Sequence, residues 1–138
     1  MQGTKIRTIV YWSSTGLLAL DLLAGGSMSF LQPAQAVSAL GHLGYPAYFA
    51  SILGFWKLLG GIALLAPGLP LLKEWAYAGI CFDLTSAAVS HAASGDGASD
   101  VAAPLSILVL ATASYLLRPP CRTPRAAPDL DAGEALEN

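Results

Sequence analysis

The stretch AYFASILGFWKLLGGIALLA, residues 47–66, carries one charged side chain, Lys57, in its whole length. A helix needs about 20 mostly apolar residues to cross the hydrocarbon core of a bilayer, and this stretch has that length. Working outward from it, three more apolar runs appear: Ile6 to Leu31 before it, then Trp75 to Ala93 and Val101 to Leu117. Composition agrees. Charged residues make up 12% of the 138 positions, against about 25% in soluble domains. That leaves too little polar surface to cover a water-soluble fold of this size. No block of Lys and Arg of the kind that grips nucleic acid is present, and the net charge is -2. The expected fold is all-α: a four-transmembrane-helix bundle over residues 1–118, with spans at about 6–31, 47–66, 75–93 and 101–117.

The breaks between the runs carry turn chemistry: Gln32-Pro33, Gly44-Tyr45-Pro46, Pro67-Gly68-Leu69-Pro70 and Ser94-Gly95-Asp96-Gly97. Basic residues set the orientation. Of the seven, Lys57 lies inside a span; Lys5, Arg7, Lys73, Arg118, Arg122 and Arg125 all fall on one side of the four runs. The stretches from Gln32 to Pro46 and from Ser94 to Asp100 have none. The positive-inside rule then puts both termini in the cytoplasm. Tyr11, Trp12, Tyr45, Tyr48, Trp75, Tyr77 and Tyr115 sit near span ends, as an aromatic belt does. A cleaved signal peptide ending at Ala34-Gln35-Ala36 is the rival reading of the first run. That run is longer than the usual roughly 7–15 residues and is interrupted by Asp21. After Pro119-Pro120 the sequence turns rich in Pro, Ala, Asp and Glu, and 119–138 reads as a disordered cytoplasmic tail. Cys81, expected to be buried in mid-span, and Cys121 form no C-x-x-C, so two free thiols are expected.

Three ionisable residues, Asp21, Lys57 and Asp83, fall near mid-span. A charge at the bilayer centre costs on the order of 3 kcal/mol, so such groups are expected to face the bundle interior and to pair. Ala50, Gly54, Lys57 and Gly61 share one helical face, a small-residue stripe that lets another helix approach closely. Gly79, Asp83, Ala87 and His91 share another. Two carboxylates for one ammonium leave a carboxyl over, available as a proton donor or acceptor or to bind a polar headgroup. Lys57 and Asp83 lie about midway along their runs, while Asp21 is placed somewhat nearer the outer face. His91, at the outer end of its span, and His42, in the first outer loop, can reach one outward mouth with Asp96 and Asp100. Two His without a tight spacing do not make a metal site, and none is expected.

The motif His42-Leu43-Gly44-Tyr45-Pro46-Ala47-Tyr48-Phe49, followed by Leu53-Gly54-Phe55-Trp56-Lys57-Leu58-Leu59-Gly60, resembles the DoxX-like family of bacterial four-helix membrane proteins. Lys73-Glu74-Trp75-Ala76-Tyr77-Ala78-Gly79, Ser90-His91 and Gly95-Asp96-Gly97 extend the likeness, which runs from the first span to about Arg118. The resemblance implies a four-helix bundle, multi-pass in a bacterial inner (cytoplasmic) membrane. Its members range from a quinone-reducing thiosulfate oxidoreductase subunit to partners of redox enzymes, and no general catalytic signature comes with it. The expectation is a redox-associated or accessory subunit that binds a lipophilic ligand, a quinone for example, among Asp21, Lys57 and Asp83. Lys57 would hydrogen-bond a carbonyl and Asp83 or Asp21 would supply a proton. Trp56, His91 and His42 complete the candidate ligand-binding set. The alternatives are a standalone membrane enzyme on a lipophilic small molecule, a carrier or proton-coupled transporter subunit, and a structural membrane partner with a merely paired core. Expected partners are the lipid bilayer, a membrane or redox-enzyme partner, and a second copy in a homo-oligomer.

Overall fold

The computed structural model describes residues 2–31 and 33–119, except for the side chains of residues 2–4 and 33. It is all-helical over those residues: α1 (Gln2–Leu31), α2 (Pro33–His42), α3 (Tyr48–Leu65), α4 (Pro70–Ala93) and α5 (Ala98–Leu116). The expected tail lies, apart from Pro119, outside the described residues, as does Cys121. Three helices are long and apolar enough to cross a membrane: Lys5–Leu31 of α1, α3 and α5. The run expected as the third span is not among them. At 24 residues, about 36 Å, α4 has the length, but Lys73, Glu74, Asp83, Thr85, Ser86, Ser90 and His91 lower its hydropathy. The loop expected after the first span also differs, since Pro33 opens the short helix α2 within it.

Around the bundle, α1 packs on α3 and α5, and α4 packs on α5 and, less extensively, on α3. Between lipid-embedded helices the usual hydrophobic driving force is weak, because lipid tails are as apolar as leucine; close backbone approach and internal hydrogen bonds take its place. Both are present. A Cβ on Gly54 would stand 2.9 Å from the Gly26 carbonyl oxygen, and one on Gly61 would meet the Leu23 side chain at the same distance, so α1 and α3 cross where neither has room for a side chain. Behind this contact Leu18, Leu22, Leu64, Ile80, Leu84 and Ala111 form the core. Thr15 and Ser114 share a hydrogen bond of 2.6 Å and Ser114 and Tyr77 one of 2.7 Å, so a buried hydroxyl chain ties α1, α5 and α4 together.

Tyr11, 1% exposed, and Tyr77 are buried rather than interfacial. The rings left at the surface include Trp12, Tyr48 and Trp75. Cys81 is likewise exposed, not buried. At the end where α1 starts and α5 closes, Arg7 donates to the Arg118 carbonyl at 3.4 Å. The Arg118 guanidinium sits 3.9 Å over the Tyr115 ring and reaches Glu74 at 2.8 Å.

Candidate functional site

Lys57, on the third turn of α3, and Asp83, past the middle of α4, meet in the seam between those helices with Nζ 3.3 Å from Oδ2. Their side chains are 31% and 22% exposed. Small residues line the seam: Gly60 and Ala63 on one wall, Ala76 and Gly79 on the other. The result is a cavity of about 470 Å³. Leu22 of α1 closes its back; Trp56 and Trp75 stand at its exposed edges. From the Lys57–Asp83 pair it runs toward Ala66, Leu69 and Leu72 at the α3–α4 turn. Its lining is apolar except for that one ion pair and the two indole N–H groups at its edges, so it offers a donor and an acceptor at one end of an apolar slot that opens sideways.

The other expected site residues divide. Trp56 is at the cavity edge. Asp21 is not in the lining: it is exposed on α1, one position from the inward-facing Leu22. Its height also differs from expectation. Asp21, between Ala19 and Leu23, lies opposite Gly61 rather than Lys57, which is four residues earlier in α3, so it is not nearer the outer face than the Lys57–Asp83 pair.

His42 and His91 come together at the opposite end of the bundle, well away from the cavity. The local backbone explains how. At the close of α2, Gly44 takes φ 84° while its N–H and that of Tyr45 bond back to the Gly41 and Leu40 carbonyls. At the close of α4, Gly95 takes φ 75° while its N–H and that of Asp96 bond back to Ala92 and His91. Both are Schellman closures, and each needs the left-handed backbone that glycine adopts without strain. The second folds Asp96 over His91. His91 Nδ1 then lies 2.6 Å from Asp96 Oδ2, and His42 Nε2 lies 2.6 Å from Oδ1. The hydrogen bond and charge of Asp96 raise the His42 pKa above 6.5; the bonds from His42 and then His91 lower that of Asp96 below 3.8. Tyr45 and Ser90 share a hydrogen bond of 2.8 Å beneath this bridge. Among the described residues no group of three or more His, Cys, Asp and Glu is placed to hold a metal ion.

One basic residue was misjudged from the sequence. Lys73, expected as a loop charge, is 1% exposed and donates to the carbonyls of Ala63 at 2.8 Å, Leu64 at 3.0 Å and Ala66. It satisfies the last turn of α3, whose carbonyls have no helical partner. The signal available was position: a lysine just beyond a Pro-Gly-x-Pro turn is within side-chain reach of the helix end before it.

With this geometry in place, comparison with known proteins gives one match: the family model described as the DoxX-like family covers residues 13–114. No curated protein and no solved structure matches the chain.

Proposed function

The chain belongs to the DoxX-like family, and from that premise we propose that it is a four-span membrane protein that holds a lipophilic ligand between α3 and α4. Both termini lie on the cytoplasmic side of a bacterial inner membrane, and residues 1–118 form one transmembrane domain. The fourth span is α4. Its low hydropathy is compatible with that role because its polar groups meet partners within the protein: Lys73 on α3 carbonyls, Glu74 on Arg118, Asp83 on Lys57 and His91 on Asp96. A helix whose polar groups are satisfied internally does not present them to lipid.

The observation that carries the ligand reading is the Lys57–Asp83 pair at the head of an apolar cavity of about 470 Å³. Small-molecule sites have this form: about 300–1,000 Å³, mostly apolar, with a few convergent polar groups. The Lys57 ammonium donates to a ligand carbonyl and the Asp83 carboxylate accepts from a hydroxyl. The walls toward Leu69 and Leu72 take an aliphatic tail. A quinone-type head with an isoprenoid chain has this chemistry, and the protein then serves as a redox-associated or accessory subunit.

Two of the three tryptophans, Trp56 and Trp75, border the cavity, which gives the test its readout. Protein in phosphatidylcholine vesicles is titrated with a short-chain isoprenoid benzoquinone while tryptophan emission is followed. Saturable quenching is expected, and most of it should disappear in W56F/W75F. Gly79→Leu should weaken binding by about tenfold, since a Cβ there meets no atom within 4 Å and the added side chain fills the slot. Quenching that is unsaturable, or unchanged by Gly79→Leu, would overturn the assignment.

A further inference from the structure

The level of Asp21 leaves a charge unexplained. It is the seventeenth of the 27 residues of Lys5–Leu31, on the exposed face of a helix long and apolar enough to span a membrane. Its surroundings on that face are Leu17, Leu20, Ala24 and Met28, all exposed. Among the described residues it makes no hydrogen bond or ion pair. A carboxylate aimed at lipid from mid-span is costly, and such residues otherwise face protein or a polar cavity. No basic residue among those described can reach it. Lys5 and Arg7 lie 16 and 14 residues back along the same helix, more than about 20 Å away at the helical rise. Lys57 is taken by Asp83, Lys73 by the α3 carbonyls, and Arg118 by Glu74.

We propose that the exposed Leu17–Asp21–Ala24–Met28 face of α1 docks a transmembrane helix of a different protein, one that carries a Lys or Arg at mid-membrane depth. Charge complementarity selects this occupant. Among the described residues a second copy brings no unpaired cation to that level, and a two-fold contact through this face would set two Asp21 carboxylates against each other. Gly25, one turn on from Asp21 on the same face, has nothing within 4 Å of a built Cβ, so a partner backbone can come close beside the charge. The surface is separate from the α3–α4 cavity, and the two assignments stand or fall independently.

The test uses labelled full-length protein in phosphatidylcholine vesicles with synthetic helices of about 20 leucines, bearing either one central Lys or none. Association is read by energy transfer. The Lys helix should bind at least about tenfold more tightly than the all-leucine helix, and Asp21→Asn should remove that preference while leaving the melting temperature unchanged. Equal binding of the two helices, binding by neither, or a preference that survives Asp21→Asn would overturn the proposal. So would self-association of the protein that Asp21→Asn abolishes, since that would make a second copy the occupant.

Discussion

Removing one member of the Lys57–Asp83 pair tests whether the seam between α3 and α4 is held by charge, by ligand, or by both. At 3.3 Å and an effective dielectric near 20, the attraction is about 5 kcal/mol before desolvation is subtracted. Fully buried pairs cost about 3–5 kcal/mol when one partner is lost, because the other is left unpaired. Here the side chains keep 31% and 22% of their surface, so solvent and headgroups screen part of that loss. The expected destabilisation is therefore about 1–3 kcal/mol for Lys57→Met or for Asp83→Asn. In a domain of this size that lowers the melting temperature by about 3–15 °C. The double variant leaves neither charge stranded and should return to within about 1 kcal/mol of the parent. All four proteins are to be melted in the same detergent, beside the quinone titration. Recovery of stability without recovery of binding is the outcome the cavity reading requires. A double variant no more stable than the worse single would mean the two groups are not coupled. One that regained both stability and binding would reduce the pair to a packing device.

Three further expectations follow from the same geometry. Lys73→Met strips a buried donor from three carbonyls and should cost about 3–5 kcal/mol, read as the largest melting loss of any lysine substitution. At the opposite end, the His42–Asp96 contribution is fully present below the unfolded His value of 6.5 and is lost as pH rises through the higher folded value. It is also lost below pH 3.8, as Asp96 protonates. Amide exchange near Gly44 and Gly95 should accordingly speed up from pH 6 to pH 9 more than in Asp96→Asn; equal profiles would discount the bridge. Reporter fusions after Pro70 and after Arg118 should read cytoplasm and those near Gly41 and Gly97 the exterior, and a C-terminal reporter on the far side would invert the orientation.

The legible parts of this molecule were those governed by cost. An ammonium and a carboxylate in mid-run must find shelter, and with one lysine in 47–66 the search for its partner had two answers. Likewise the small-residue face through Gly54 and Gly61 pointed to a close crossing, which occurs against α1. What stayed hidden depends on facing. Leucines surround α1 on nearly every side, and in lipid both the inner and outer faces of a span are apolar. Periodicity therefore did not distinguish Asp21, outside, from Leu22, inside. The same ambiguity made belt residues of Tyr11 and Tyr77, whose hydroxyls are polar enough for an interface; yet both rings are buried, and the Tyr77 hydroxyl belongs to the network with Ser114 and Thr15. Helix α2 is too short and mixed to announce itself, and α4 is polar for reasons only its partners reveal.

Lys73 has a consequence in time as well as in space. While a chain is being inserted, a lysine after an apolar segment is an exposed charge that helps hold its loop back from translocation. In the finished protein that same ammonium is sealed against the end of α3, out of contact with solvent. In the orientation proposed above, one side chain thus serves two successive masters, the insertion machinery first and the folded backbone afterward. The loop would then be held back before α3 and α4 close on each other, because closure hides the charge that holds it.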